Sequence, residues 1–188
     1  TYTAFITDAN GCQDTIELTF EEPLVVNLKV DDLSNNLCFG DSQGSITLSA
    51  SGGTQPYVTY FIESSAGIIS SQVSNLFVNL LAGNYDLWVE DSLGCFSSKI
   101  IGEKIGEPGQ IELTSSGNDL SCFESNDGSI SLNLSGGVAP YKYTSNITGI
   151  DTVNIFQGSV ILENLAEGGY YFEVTDYNEC EDNISVTV

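Results

Sequence analysis

Apolar and polar residues alternate along this chain with a period of two, in runs that are short and repeatedly interrupted. Tyr85, Leu87 and Val89 fall on one side of such a run, and Asp86, Trp88 and Glu90 on the other. That is the pattern of a strand with one face on a core. Similar runs, rich in Val, Ile, Tyr, Phe and Thr, are separated by clusters of Gly, Asn, Asp and Ser about every 8–12 residues. They predict strands at Val25–Val30, Ser45–Ser51, Tyr57–Ile62, Ile68–Val73 and Phe77–Leu80, then one from Tyr85 and a last one from Cys95. No window keeps an apolar stripe of helical period long enough for a helix. The expectation is an all-β chain.

The pattern also repeats. Cys38–Tyr57 reads CFGDSQGSITLSASGGTQPY and Cys122–Tyr141 reads CFESNDGSISLNLSGGVAPY, with Cys-Phe, Gly-Ser-Ile, Ser-Gly-Gly and Pro-Tyr at identical offsets. Asn79-Leu80-x-x-Gly83-x-Tyr85 recurs as Asn164-Leu165-x-x-Gly168-x-Tyr170. Tyr2, Asp8 and Cys12 stand at the same spacing as Tyr85, Asp91 and Cys95, and as Tyr170, Asp176 and Cys180. A tandem array follows. Residues 1–22 are expected to supply the C-terminal strands of a truncated upstream repeat, 23–107 one complete repeat and 108–188 another. Pro23 and Pro108 end one strand and aim the next, so the junctions should be short and stiff. A Gly-x-Tyr opening a late strand is the signature of a tyrosine corner, which predicts immunoglobulin-like Greek-key sandwiches of seven strands in two sheets.

Composition narrows the function. The chain has 188 residues, a formal net charge of −22, four Lys+Arg and no histidine. Nucleic acid and anionic membranes are poor partners for such a surface, because binding them requires neutralising phosphates with Lys and Arg. Without histidine there is no Ser-His-Asp triad, Cys-His dyad or His-ligated zinc. Adjacent acids such as Glu21/Glu22 are expected by chance in so acidic a chain, and no catalytic constellation stands out; the expectation is not an enzyme. No apolar run is long enough for membrane insertion, and neither a signal peptide nor an initiating methionine is seen, so the chain looks cut from something longer.

Two groups of residues are candidates for binding. Glu22, Asp31 and Asp32 lie near the first junction and could offer hard oxygens to Ca²⁺, the one cofactor considered. Against this, no EF-hand spacing is present, and Asp31/Asp32 become Ser115/Ser116 in the next copy. Trp88 points outward and is a candidate ligand contact, since a lone tryptophan can stack on a sugar ring. The bland alternative is that it covers a sheet edge or a neighbouring module. Phe5 and Glu173 stand at its position in the other copies.

Cys-x5-Gly-Ser-Ile, Ser-Gly-Gly-x-x-Pro-Tyr, Gly-x-Tyr and Asp-x-x-Gly-Cys, in that order, resemble the SprB repeat of giant surface adhesins in gliding Bacteroidota. The resemblance covers nearly the whole chain. It departs at Asn178-Glu179-Cys180, where Gly-Cys is usual, and in a long segment before Leu80. It implies an array of Ig-like modules exported by type IX secretion and moved along the cell surface by the gliding machinery. The location is then extracellular, at the cell surface. Partners would be neighbouring repeats of the same chain, surface polysaccharides or solid surfaces, and the secretion and gliding machinery.

In a surface protein five cysteines suggest two disulfides and one leftover. Pairing within repeats gives Cys38–Cys95 and Cys122–Cys180, with Cys12 unpaired. Pairing across junctions gives Cys12–Cys38 and Cys95–Cys122, leaving Cys180. In a seven-stranded sandwich the turns carrying Cys38 and Cys95 fall at opposite ends, which argues against the first option. The second must reach between units, and the within-repeat bonds are favoured here. Asp14-Thr15-Ile16, Asp91-Ser92-Leu93 and Asp151-Thr152-Val153 match the O-glycosylation signal of Bacteroidota, which makes Thr15, Ser92 and Thr152 candidate glycan sites. The expected function is a structural and adhesive stalk segment of a surface adhesin, tied to gliding motility and surface attachment. The alternatives are a carbohydrate-binding module of a secreted polysaccharide-degrading protein, or a subunit of an extracellular fibre.

Overall fold

A computed structural model describes residues 1–122, 125–147 and 158–188. Fifteen strands and no helix occur among them. The first two, β1 (Tyr2–Thr7) and β2 (Gln13–Leu18), form a hairpin of their own. A first sandwich follows. Its smaller sheet has β3 (Asn27–Ser34), β4 (Gly44–Ser51) and β7 (Leu76–Leu80), in the order β3-β4-β7. Its larger sheet contains β5 (Tyr57–Ser64), β6 (Ile69–Gln72), β8 (Gly83–Asp91) and β9 (Ile100–Ile105), ordered β6-β5-β8-β9. The second sandwich repeats the plan. One sheet holds β10 (Glu112–Asn118), β11 (Gly128–Ser135) and β13 (Gly158–Leu165), and the other β12 (Lys142–Ser145), β14 (Gly169–Thr175) and β15 (Glu181–Thr187). All pairings are antiparallel. Two facing antiparallel sheets with strands shared between them in this order make an immunoglobulin-like sandwich.

Alternation along the strands builds the two cores. Ile46 and Leu48 of β4 face Tyr60 and Ile62 of β5 and Tyr85, Leu87 and Val89 of β8, with Phe77 and Ile105 completing the cluster. The second cluster has Leu113, Ile130, Leu132 and Leu134 on one sheet and Tyr143, Phe172 and Val174 on the other, closed by Tyr141 and Val188. Each fully buried Leu or Phe contributes roughly 1.5–3 kcal/mol. The two clusters are separate, so each sandwich carries its own core.

The tyrosine corner is present in both. Tyr85 donates its hydroxyl to the Leu81 carbonyl at 2.9 Å, and Tyr170 donates to the Ala166 carbonyl at 2.7 Å. The preceding Asn79 and Asn164 have φ of 58° and 62°, a left-handed conformation that asparagine tolerates better than most residues. The glycine of Gly-Ser-Ile has another reason. A Cβ on Gly44 would lie 2.7 Å from Ile105 Cγ2, and one on Gly128 would lie 2.3 Å from Val188 Cγ1. Ile105 at the end of β9 and Val188, just past the end of β15, pack directly over this backbone.

The first strand differs from expectation. It occupies Asn27–Ser34, passing through the Asp31-Asp32 pair, because a bulge between Val30 and Asp32 leaves Asp31 outside the register with β4. The extra residue shifts the alternation by one, so Val30 and Leu33 both pack on the core while Asp31 and Asp32 both stay exposed. In the hairpin, Tyr2 pairs with Leu18 and Thr7 with Gln13, the register in which Tyr170 pairs with Val186 and Thr175 with Glu181. All residues of β1 and β2 are exposed.

Candidate functional site

The Ser-Gly-Gly loop and the turn aspartate that the repeats share meet at one end of each sandwich. In the first, the buried Asp91 carboxylate accepts the Leu93 and Cys95 amides through Oδ1, at 3.0 and 2.8 Å. Its Oδ2 accepts the Thr54 amide at 2.9 Å. One side chain thus closes its own turn and ties it to the Ser-Gly-Gly loop. These backbone donors, Cys95 first and Thr54 next, hold the Asp91 carboxyl below the usual aspartate value. Asp176 repeats the arrangement with the Asn178, Cys180 and Val138 amides. Asp8 makes the turn half of it with Asn10 and Cys12.

The loop side is built to fit. Gly53 and Gly137 have φ of 57° and 62°, and a Cβ on either would come within 3.0 Å of the aspartate Oδ2. The tyrosine of Pro-Tyr locks the loop by donating to the first glycine, Tyr57 to Gly52 at 2.8 Å and Tyr141 to Gly136 at 2.6 Å. Both prolines follow cis peptide bonds.

The opposite end of the first sandwich meets this end of the second. Cys38, in the loop between β3 and β4, is bonded to Cys180, in the turn between β14 and β15, with the Cα atoms 5.7 Å apart. Around the bond, Asn178 Nδ2 donates to the Leu37 carbonyl at 2.8 Å. The Gly40 amide donates to Glu107 Oε2 at 2.7 Å, and the Gly106 amide to Asn35 Oδ1 at 2.7 Å. The Asn36 amide donates to the Gly106 carbonyl at 3.0 Å. Asn36 is itself buried, its Oδ1 accepting the Gln43 and Gly44 amides and so shaping the loop that presents Cys38. Cys38, Phe39, Pro108, Ile111, Gly137 and Cys180 border a cleft of about 260 Å³ at this junction.

The disulfide corrects the expected pairing. Cys38 bonds neither Cys95 nor Cys12, Cys180 does not bond Cys122, and Cys12, Cys95 and Cys122 are free thiols. The β3–β4 loop and the β8–β9 turn do lie at opposite ends of a sandwich, so an intra-repeat bond would have to span its length. Stacking the sandwiches end to end brings the first loop of one to the last turn of the next. Sequence reasoning considered bonds between neighbours only with the late cysteine first. The strand count, which already put the two turns at opposite ends, was the signal that could have found the observed register. Asn35, Asn36, Glu107 and Asn178 carried no signal of this kind.

The calcium candidates are not gathered. Asp31 Oδ1 is held by Lys29 Nζ and Ser49 Oγ, both at 3.0 Å, and the Lys29 contact is the first cause of its lowered pKa. Asp32 lies on β3 and Glu22 outside any strand. Among the described residues no group of three or more His, Cys, Asp or Glu is arranged to hold a metal. Glu22 aligns with Glu107, whose carboxylate takes a backbone amide of the preceding loop.

Trp88 is half-buried on the outer face of the larger sheet. Phe61 stacks parallel to it, the ring centroids 5.1 Å apart, and Lys99 Nζ stands 4.0 Å from its ring centroid. Lys99 is also paired with Glu63 at 2.7 Å. The indole is engaged within its own sheet by Phe61 of β5 and by Lys99. Thr15 is exposed on β2. Ser92 is exposed but donates its hydroxyl to the Thr54 carbonyl at 3.0 Å. Thr152 lies outside the described residues.

Fold and junction together define a class: immunoglobulin-like β-sandwiches in tandem, joined through a built interface. Two segments, residues 30–65 and 114–146, match the SprB repeat. Each matched segment opens inside the first strand of a sandwich and runs through the cassette to the third. Among solved structures, fibronectin(III)-like modules of Clostridium thermocellum CbhA align over 86% of this chain and 92% of theirs, at 14% identity and a TM-score of 0.32. No curated protein matches the chain.

Proposed function

We propose that the chain is a stalk segment of a large secreted surface adhesin, in which covalently stapled sandwiches hold a fixed direction. The observation that carries this reading is the junction. A short linker whose Gly106 and Glu107 are hydrogen-bonded to the 35–40 loop, the Cys38–Cys180 bond and the hydrogen bond from Asn178 to the Leu37 carbonyl constrain the second sandwich against the first. In the chain-entropy model, closing a loop with a sequence separation of 142 is worth about 5 kcal/mol. The protein would act by geometry and weak multivalent contacts, without chemistry. The SprB repeats support a place on the outer surface of a cell, and the disulfide is consistent with an oxidising compartment. Export across the outer membrane, gliding and attachment to polysaccharides or solid surfaces are the finer part of the proposal. They rest on the family alone.

Small-angle X-ray scattering of the oxidised chain tests the stalk. The expected result is a narrow, elongated distance distribution that broadens in the Cys38→Ser variant. A distribution equally broad in both proteins would reject the rigid rod. Saturable binding of this chain on a glycan array would favour a carbohydrate-binding role instead.

A further inference from the structure

The bond between the sandwiches joins two different positions of the repeat. Cys38 is an early cysteine, six residues before the Gly of Gly-Ser-Ile, and Cys180 is a late one, four residues after the turn aspartate. The register is therefore early cysteine of one repeat to late cysteine of the next. Cys122 is the early cysteine of the second repeat and Cys95 the late cysteine of the first, and both are exposed free thiols. We propose that the end of the second sandwich bearing Cys122 is a docking face for a following repeat of the same kind. Cys122 bonds that repeat's late cysteine, and Cys95 takes the early cysteine of a preceding repeat. The staple is thus a rung that recurs along an array. The inference deepens the stalk reading and depends on it only for the presence of neighbouring repeats.

The argument is continuity with the interface already formed. Cys122 lies with Asp119, Leu120, Ser121, Glu167 and Val188 around a cleft of about 410 Å³. The positions matching Asp119, Leu120 and Ser121 in the first sandwich are Asn35, Asn36 and Leu37, which touch the linker or the next sandwich. Val188 packs over Gly128 as Ile105 packs over Gly44. At the other end, Cys95 sits on the Asp91 turn, tied to Thr54 as the Cys180 turn is tied to Val138. Glu22-Pro23 precedes the first sandwich as Glu107-Pro108 precedes the second, and Glu107 is the residue that accepts an amide from the preceding loop. Each new bond forms from two thiols, which release two protons and two electrons. A small disulfide oxidant such as oxidised glutathione accepts them and is cleaved to two thiols.

The test extends the full chain by two repeats. Val188 stands eight residues after Cys180, as Phe20 does after Cys12, so residues 21–188 can be appended directly to Val188 in register. Cys12→Ser and Cys95→Ser in the first copy, with Cys122→Ser in the second, leave a single source for each cysteine of the new rung. After refolding with oxidised and reduced glutathione, non-reducing peptide mapping should show Cys122 of the first copy bonded to Cys95 of the second. Both copies should also carry Cys38–Cys180, and no thiol should remain to alkylate. Alkylated Cys122 and Cys95 beside intact Cys38–Cys180 bonds would overturn the proposal. Absence of the Cys38–Cys180 bonds would overturn the register on which it is built. Scattering from the same protein separates the two readings. A stiff rod without the new bond leaves the stalk and removes the rung, and a flexible chain with the bond does the reverse.

Discussion

At the scale of single residues, the turn aspartate and the residue before the late cysteine say most about how the repeat is made. Asp91 is held in its charged form by backbone amides, so its folded pKa lies below the unfolded value of about 3.9. A depressed pKa contributes stability that is fully present above the unfolded value and is lost as pH falls through the folded one. Thermal melts between pH 7 and pH 2.5 should therefore show the wild type losing part of its stability below about pH 4. Asp91→Asn should melt lower at pH 7 and lose less on acidification, and parallel acid limbs would contradict this role. Glu179 occupies, at φ 67°, the position where Gly94 has φ 80° and Gly11 has φ 86°. A left-handed residue other than glycine costs about 1–2 kcal/mol. Glu179→Gly should stabilise the second sandwich by about 1 kcal/mol, part of the relief being offset by the greater freedom of glycine in the unfolded chain. Denaturant unfolding would measure it, and an unchanged midpoint would show that the turn carries no strain.

Elements matter through which core they join. β14 places Phe172 and Val174 in the second cluster and has no residue in the first. Phe172→Ala should cost about 3–5 kcal/mol in the second sandwich. The first sandwich should keep its near-native amide protection in hydrogen exchange. Equal loss of protection in both would mean that the junction couples them into one cooperative unit. The hairpin β1–β2 is the contrasting case. It has the register of β14–β15 but leaves Tyr2, Phe5, Ile6 and Ile16 exposed, because no second sheet faces it. A two-stranded hairpin is marginal alone. The register is the same, and Tyr2, Asp8 and Cys12 recur as Tyr170, Asp176 and Cys180, but the hairpin has no partner sheet among the described residues.

At the scale of the whole molecule, two separate cores are made into one object by a small interface. That interface is polar: the side chains of Asn35, Glu107 and Asn178 pair with the backbone of Gly106, Gly40 and Leu37, and the Asn36 amide meets the Gly106 carbonyl. Such contacts fix direction without a large apolar area, and the disulfide prevents their dissociation. Stiffness in the scattering experiment and the recurrence of the rung in an extended array are both properties of this level. Neither can be assigned to one sandwich.

Alternation, turn residues and the duplicated cassette determined the all-β class, the two-sheet unit and the tyrosine corner, because these depend on local periodicity and on backbone conformations that few residues adopt. The inward set Tyr85, Leu87 and Val89 is buried as the alternation requires, with Trp88 on the other face. Tertiary structure alone decided which cysteines meet, since a disulfide depends on which ends of two sandwiches are brought together. It also decided the state of the candidates for binding. Asp31 is taken by Lys29 and Ser49, and Trp88 by Phe61 and Lys99, residues distant in sequence or across a bulge that spacing does not reveal. Motifs within a repeat are written in its own sequence, whereas the contacts between repeats depend on how one unit is set against the next.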